Sequence, residues 1–220
     1  MGVSMSARSF RFVATLAAMA AIMGMDASSV PEPMQLAPFS AIDVRNGGHV
    51  VVRPGSSPRV TLLEGSRDYV RIGVNEQGVL TIDRCPSKCP SGYWIEVEVT
   101  APAALTRVSL ANGGWVSTAG NFPRQQELAA TVAHGGTVDV RSIAADRVTA
   151  SVQQGGRILT IPGASLLARV DNGGVIMYWG NARVDSSTRY GGVVQKGDPS
   201  ERNLPLFEVG TPVMPSHRRR

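Results

Sequence analysis

Apolar and polar residues alternate along most of this chain, and six pairs of adjacent glycines interrupt the alternation. Around each pair an apolar residue stands three positions before the first glycine, and a Val or Ile stands three positions after it; Thr188 is the one exception. A period of two is typical of β-strands, and glycine adopts the positive φ that a sharp corner needs. The pattern therefore predicts two strands meeting at each of Gly47-Gly48, Gly113-Gly114, Gly135-Gly136, Gly155-Gly156, Gly173-Gly174 and Gly191-Gly192.

The spacing of the pairs indicates a repeat. From Gly113 onward the first glycines are 22, 20, 18 and 18 residues apart, and Gly47 precedes Gly113 by 66 residues, three times 22. About 20 residues is the length of one solenoid coil. We predict an all-β fold, a parallel β-helix or β-solenoid with Gly-Gly corners and about 18 to 22 residues per coil. A β-sandwich with Gly-Gly hairpin turns is the alternative, and the even spacing argues against it.

The first half of the predicted domain is less regular but also alternates. Turn clusters such as Asn75 to Gly78 separate its short apolar runs, which is typical of strands joined by tight turns. The predicted strands are 41–44, 50–53, 59–63, 70–74, 79–82 and 94–99.

Several of these segments together resemble a known family. They are Phe39 to Val44 followed by Gly47-Gly48-His49-Val50, then Gly78 to Ile82, then Ile95 to Val108, and then the Gly-Gly corners. The chain resembles the head GIN domain of putative auto-transporter adhesins, also called DUF2807, over most of residues 39–197. It departs from the family in carrying Asn, His, Gln or Tyr before the glycine pairs. The resemblance implies a β-helical fold in the bacterial envelope, and it implies no catalytic residue.

The N-terminus differs in composition from the rest. Arg8 and Arg11 precede an apolar run, 12–23, and small residues follow. This arrangement is typical of a secretory signal peptide, which we place at 1–27, with cleavage near Ala20 or Ala27 and a Pro-rich linker at 28–38. The alternative is an uncleaved membrane anchor, but the run is shorter than the roughly 20 residues that a spanning helix needs. We therefore expect an exported protein of the periplasm or cell surface, with no transmembrane segment in the mature chain.

The C-terminal part, 198–220, reads as an irregular cap followed by a basic tail, His217 to Arg220. Leu204, Leu206, Phe207 and Val209 are predicted to cover the open end of the solenoid, where core and strand edge would otherwise be exposed. The formal net charge is +5, and most of the excess lies in the leader and the tail. The domain itself is therefore nearly neutral, and no nucleic acid partner is expected.

Cys85 and Cys89 are the two cysteines of the chain, four positions apart. In an exported protein they predict a disulfide that closes a short loop. Redox or metal chemistry is the alternative, but the spacing is not that of a C-x-x-C site, and no third cysteine or nearby histidine completes a metal site.

The search for catalytic motifs finds no nucleophile elbow, phosphate-binding loop or His-Glu-x-x-His motif. A polysaccharide lyase or hydrolase on a parallel β-helix is the rival function, with Asp139, Asp171 and Asp185 as its candidate carboxylates. No pair of them recurs at a fixed offset from the corners, so no acid and base pair is predicted. We predict no catalytic residue, cofactor or metal site.

Binding fits the sequence better than catalysis. Trp115, Tyr178 and Trp179 lie near corners, where large aromatic side chains on an exposed face bind sugars or anchor a protein partner. We therefore expect an exported, non-enzymatic domain for envelope-associated binding, adhesion or scaffolding, whose partner is an envelope glycan or a protein. The oligomeric state is not predicted. The polar residues before the corners, Asn46, Asn112, Gln154 and Asn172, are predicted to form a structural ladder of amides.

Overall fold

The computed structural model describes residues 31, 33–102, 104–206 and 209. The predicted leader and the basic tail lie outside these residues. The described chain is almost entirely β, with two short 3₁₀ helices, Arg67–Tyr69 and Pro199–Glu201. Within the same residues, no helix has the length and apolar character needed to span a membrane.

The strands form two large sheets. Sheet 1 has nine strands in the spatial order β1 (Met34–Gln35), β4 (Arg59–Glu64), β7 (Glu96–Ala101), β3 (His49–Pro54), β9 (Trp115–Thr118), β11 (Thr137–Asp139), β13 (Arg157–Thr160), β15 (Val175–Tyr178) and β17 (Val193–Lys196). Sheet 2 has eight, in the order β16 (Arg183–Thr188), β14 (Pro162–Val170), β12 (Ala145–Gln154), β10 (Gln125–His134), β8 (Arg107–Ala111), β2 (Ala41–Arg45), β6 (Val79–Arg84) and β5 (Val70–Val74).

Each Gly-Gly pair joins a strand of sheet 2 to the next strand of sheet 1, and we call such a strand, corner and strand a corner unit. The six units follow one another in the same order in both sheets, and neighbouring units pair in parallel. A Gly-Gly hairpin would instead pair the two strands it connects. The hairpin alternative for these corners is therefore wrong.

The apolar positions of the frame form the core between the sheets. Val132 stands opposite Val152, and Val152 opposite Val170, in neighbouring strands of sheet 2. Their side chains are completely buried, as are the frame residues Val138 and Ile158 in sheet 1. Successive side chains of a strand point to opposite faces. Within each strand, the residues that alternate with these buried ones therefore point outward. The predicted inward positions of the frame are confirmed.

The two glycines of a corner have different roles. Both adopt positive φ, +68° at Gly155 and +96° at Gly156. A Cβ on Gly155 would meet nothing within 4 Å, whereas a Cβ on Gly156 would lie 2.6 Å from Val132 Cγ1 and 2.9 Å from the Gly136 carbonyl oxygen. The first glycine is thus required by the backbone alone. The second also lets neighbouring corners approach closely.

Polar side chains before the corners make one step of the predicted amide ladder. Asn46 and Asn112 have positive φ, and the Asn112 side-chain amide donates to Asn46 Oδ1 at 2.9 Å. The Asn46 amide donates in turn to Asp83 Oδ1 at 2.8 Å. These bonds link the corners of the first two units to β6.

The first half of the domain does not repeat the coil as its spacing indicated. Although 66 residues separate Gly47 from Gly113, β3 pairs directly with β9, and His49 stands opposite Trp115. The intervening chain lies on the other side of β2 and β3 and includes antiparallel pairs. One of these pairs, β5 with β6, is joined by a tight hairpin at Asn75 to Gly78, where Asn75 Oδ1 accepts from the backbone N–H of Gln77 and of Val79.

The predicted disulfide between Cys85 and Cys89 is confirmed. The two Cα atoms are 5.5 Å apart. The bridge closes a loop that follows β6, and the Cys85 N–H donates to the Tyr69 carbonyl at 2.7 Å. It therefore fixes a local loop at the antiparallel end of the domain.

The chain after β17 folds back onto the outer side of sheet 1. Leu204, Leu206 and Val209 pack there with Leu159, Met177 and Trp179. The prediction that these three apolar residues cover the open end of the stack is therefore wrong; Phe207 lies outside the described residues. Their partners on sheet 1 are apolar side chains that face outward. Removing these side chains from water is favourable in the same way as covering the exposed end of the core.

Candidate functional site

A groove lies between the outer side of sheet 1 and the segment that folds back over it, which we call the C-terminal segment (198–206 and Val209). Its volume is about 620 Å³. The sheet side carries Val51, Ser117 and the loop residue Asn121, and the segment side carries Arg202 and Leu204. Polar and apolar groups are both present, which suits a ligand that is itself amphipathic.

Arg141 holds the C-terminal segment in place. Its Nε and Nη2 donate to the two carboxylate oxygens of Asp139, at 2.9 and 2.6 Å. Its Nη1 donates to the carbonyls of Glu201 and Arg202, both at 3.1 Å, and its Nη2 donates to that of Leu204 at 2.9 Å. All five N–H groups of the guanidinium are therefore used, within a side chain that is about nine-tenths buried.

We expect Arg141→Met to loosen the C-terminal segment. Methionine keeps much of the apolar stem but removes the guanidinium donors to the Asp139 carboxylate and to three carbonyls, leaving only the backbone N–H of residue 141 to donate to Asp139 Oδ1, at 3.1 Å. The free energy of unfolding should fall by about 2 to 3 kcal/mol, the range for lost hydrogen bonds to a charged group. Chemical denaturation measures this loss. Trp179 fluorescence should also shift to longer wavelength as the segment exposes the ring.

Arg147→Met is the matched control, because Arg147 forms an ion pair with Glu127 at the surface, where both side chains are more than half exposed. Such pairs contribute little, so we expect a change within about 0.5 kcal/mol and no change in fluorescence. Equal effects of the two substitutions would contradict the role assigned to Arg141.

Aromatic side chains form a second feature beside the groove. Trp115 is the first residue of β9 and points outward, and the Trp94 ring lies 5.3 Å from it, centroid to centroid, with the planes tilted by 59°. His49, which also lines the groove, meets the Trp115 ring edge-on at 6.5 Å. We call His49, Trp94 and Trp115 the aromatic patch. The patch arises because the corners at Gly47 and Gly113 are neighbours, which places the residues that follow them side by side.

The predicted site residues do not all meet in this patch. Trp115 lies in it, partly exposed. Tyr178 is partly buried and packs against the core between the sheets. Trp179 is only 2% exposed, and its Nε1 donates to the Asp198 carbonyl at 2.7 Å. The prediction that Trp179 lies on an exposed face is therefore wrong, because the C-terminal segment covers the outward face on which it lies.

Trp94 was missed among the candidate site residues, although 36% of it is exposed. The sequence placed it at the start of a strand, and β7 in fact begins two residues later at Glu96. Only the pairing of β7 with β3 brings Trp94 to Trp115. That pairing has no local signal in the sequence.

The three candidate carboxylates lie apart. Asp139 lines the groove but is bound to Arg141. Asp171 follows β14 at a corner, 4.0 Å from Arg189, and Asp185 lies on β16 in the other sheet. Among the residues that the structure describes, no group of three or more His, Cys, Asp or Glu side chains could hold a metal ion. The described groove thus offers one carboxylate, already neutralised by an arginine.

Comparison with known proteins identifies similar sequences and folds. The family model described as "Putative auto-transporter adhesin, head GIN domain" matches residues 38–164, which confirms the resemblance. A crystal structure described as a putative adhesin from Parabacteroides distasonis has 17% identity and a TM-score of 0.61, with 76% of each chain covered. It shows a shared fold.

Two further solved structures are similar over most of the chain. One, described as a putative adhesin from Bacteroides fragilis, has 16% identity and a TM-score of 0.47 and covers 76% of this chain and 95% of its own. The other, described as a putative lipid binding protein from Parabacteroides distasonis, has 13% identity and a TM-score of 0.43, covering 78% and 98%. No curated protein sequence matches the chain.

Proposed function

The chain belongs to the family of putative auto-transporter adhesins with a head GIN domain, and on this premise we propose that it is an exported, non-enzymatic binding domain of the bacterial envelope. Its function is adhesion or scaffolding, and its ligand is an envelope glycan held at the aromatic patch. The patch is the observation that carries this proposal.

The chemistry of the patch fits a sugar. Trp94 and Trp115 offer indole faces for the apolar C–H face of a sugar ring, and a rigid aromatic loses little entropy on binding. The adjoining groove supplies hydroxyl and amide groups, from Ser117 and Asn121, for sugar hydroxyls. Since each sugar has an apolar face and a polar rim, the arrangement matches both parts. A protein partner would use the same two tryptophans as anchors.

Catalysis is the second candidate, as a polysaccharide lyase or hydrolase. Glycoside hydrolysis ordinarily needs two carboxylates flanking the bond. Asp139 is the groove's carboxylate, and both of its oxygens accept from Arg141. This arrangement favours binding over catalysis.

We further propose that the six corner units are coils of a parallel β-solenoid within a domain at 39–197. The identical order of the units in both sheets and their parallel pairing support this. The stacked coils would then present the aromatic patch on a rigid surface, the outer side of sheet 1.

Export is part of the same proposal, because the leader at 1–27 would direct the chain to the periplasm or cell surface. Removal of the leader should give a new N-terminus between about residues 20 and 30. Mass spectrometry of protein recovered from the periplasm or medium measures it. An intact Met1 in the membrane fraction would contradict export by a cleaved leader.

The binding proposal is tested on glycan arrays and with envelope extracts. We expect Trp94→Ala and Trp115→Ala each to weaken retention about tenfold or more, about 1.4 kcal/mol. Their melting temperatures should stay close to that of the unaltered protein. Loss of retention on proteins but not on glycans would point to a protein partner.

Tyr190→Ala is the matched control, since Tyr190 is 82% exposed but lies at the last corner, outside the patch. It should retain full binding. If Tyr190→Ala weakens retention as much as the tryptophan variants do, the binding surface is not the patch. If the tryptophan variants unfold, those residues are structural.

A further inference from the structure

The stack of corner units ends at β16 and β17, and this end is uncovered among the described residues. Val184 occupies the core position that Leu166 occupies in β14, and the two stand opposite each other. Leu166 is buried, whereas Val184 is only partly buried, and the other five residues of β16 are exposed. An edge strand with unpaired backbone groups and an uncovered core residue is a template for another strand.

The charges along this edge are arranged for one particular partner. Arg183 and Asp185 flank Val184 and point to the outer side of sheet 2, and neither takes part in an ion pair or side-chain hydrogen bond within the described residues. If two copies of β16 pair antiparallel about Val184, each Arg183 stands opposite the Asp185 of the other copy. Val184 then stands opposite Val184 and continues the core. Opposite charges facing each other in this way stabilise antiparallel pairs.

Other registers fit less well. Because inward residues must stand opposite inward residues, the pairing can be centred only on a residue. Centring on Arg183 or Asp185 puts like charges opposite each other, and centring on Ser186 puts Arg183 opposite Arg189. Centring on Ser187 puts Asp185 opposite Arg189 but Val184 opposite Tyr190, whose positive φ of 48° interrupts the extended backbone, so Val184 stays uncovered. The register about Val184 is therefore the one that both pairs opposite charges and covers Val184 with another inward apolar residue.

We propose that the free edge of β16 is an interface with a second copy of this chain, which pairs antiparallel with it about a two-fold axis at Val184. Such a contact is isologous and closes after two copies. It joins the two copies of sheet 2 into one sheet. The interface uses no residue of the aromatic patch. A test of dimerisation therefore does not depend on the proposed ligand.

Edge charges also serve to keep strands apart, and the charge pattern distinguishes the two roles. A protective edge works with charges that repel in every register. Here opposite charges face each other in the register that also covers Val184, whereas like charges face each other in three other registers. A dimer held by these pairs weakens with each single charge reversal and recovers when both charges are reversed. A protective edge on a monomer shows neither change.

The test is sedimentation velocity, at several protein concentrations, on the chain without the proposed leader but with its complete C-terminus. We expect a dimer that weakens with added salt, because exposed ion pairs are screened. Arg183→Asp and Asp185→Arg should each weaken dimerisation about tenfold or more, since each places like charges in contact. The double variant, R183D with D185R, should restore it. Arg107→Asp, on the same outer side of sheet 2 but in the central strand β8, should change nothing.

Four results would overturn the proposal. The first is a monomer at about 100 μM, and the second is that the single reversals leave dimerisation unchanged. The third is a double variant that stays as weak as the single ones. The fourth is an open-ended series of oligomers, which would mean head-to-tail pairing of β16 with the opposite edge strand, β5. A chain ending at Val209 should dimerise as the full chain does; if only the shortened chain dimerises, residues 210–220 cover the edge instead.

Discussion

Val152→Asp should lower the free energy of unfolding by at least about 4 kcal/mol, or prevent folding altogether. The Val152 side chain is completely buried in the core, with Val132 and Val170 opposite it on either side. A carboxylate there would lie among apolar side chains with no partner, and unpaired buried charges are among the most destabilising substitutions. Urea denaturation followed by circular dichroism measures the loss.

Thr137→Asp provides the control. Thr137 is the first residue of β11 and points outward, opposite Trp115 and Arg157 in the neighbouring strands. A new carboxylate there stays hydrated, so we expect a change within about 0.5 kcal/mol. If Val152→Asp and Thr137→Asp melt at the same temperature, the assignment of inner and outer faces is wrong.

Gly156→Ala should cost about 2 to 5 kcal/mol, whereas Gly155→Ala should cost about 1 to 2 kcal/mol. Both substitutions place a Cβ at positive φ, which costs roughly 1 to 2 kcal/mol. At Gly156 the new atom would also collide with Val132 and with the Gly136 carbonyl of the neighbouring corner, and overpacking adds about 1 to 3 kcal/mol.

The informative quantity is the difference in unfolding free energy between the two alanine variants. The two glycines are adjacent and belong to the same corner, so other influences on stability are similar for both. Thermal and urea unfolding of both proteins give it. A cost at Gly155 equal to that at Gly156 would mean that corners are constrained by their backbone alone and not by close stacking.

The frame around the glycines predicted the core well, because burial on one side of a strand imposes a period of two that is visible locally. Val132, Val152 and Val170 all occupy the predicted inward position. The bridge between Cys85 and Cys89 was equally accessible, since two cysteines four positions apart in a tight loop have few alternatives. These features depend on short stretches of chain.

Features that depend on distant segments were not predictable in the same way. The chain between Gly47 and Gly113 includes antiparallel pairs, among them the hairpin at Asn75 to Gly78. The 66-residue spacing between the two glycines therefore does not correspond to three coils. The position of Trp94 depends on the pairing of β7 with β3. The burial of Trp179 depends on the returning C-terminal segment, which is held by hydrogen bonds from Arg141 to backbone carbonyls. Backbone carbonyls are present at every residue and leave no mark in the sequence.

The central claim, that the protein binds its ligand at the aromatic patch, is tested most directly by the indole N–H signals in ¹H–¹⁵N NMR spectra. The chain has three tryptophans, and Trp179, buried beneath the C-terminal segment, serves as an internal control. On titration with the soluble glycan that the array retains best, the signals of Trp94 and Trp115 should shift and that of Trp179 should stay in place. Saturable binding that leaves both patch signals unmoved, or that moves only the signal of Trp179, would contradict the account.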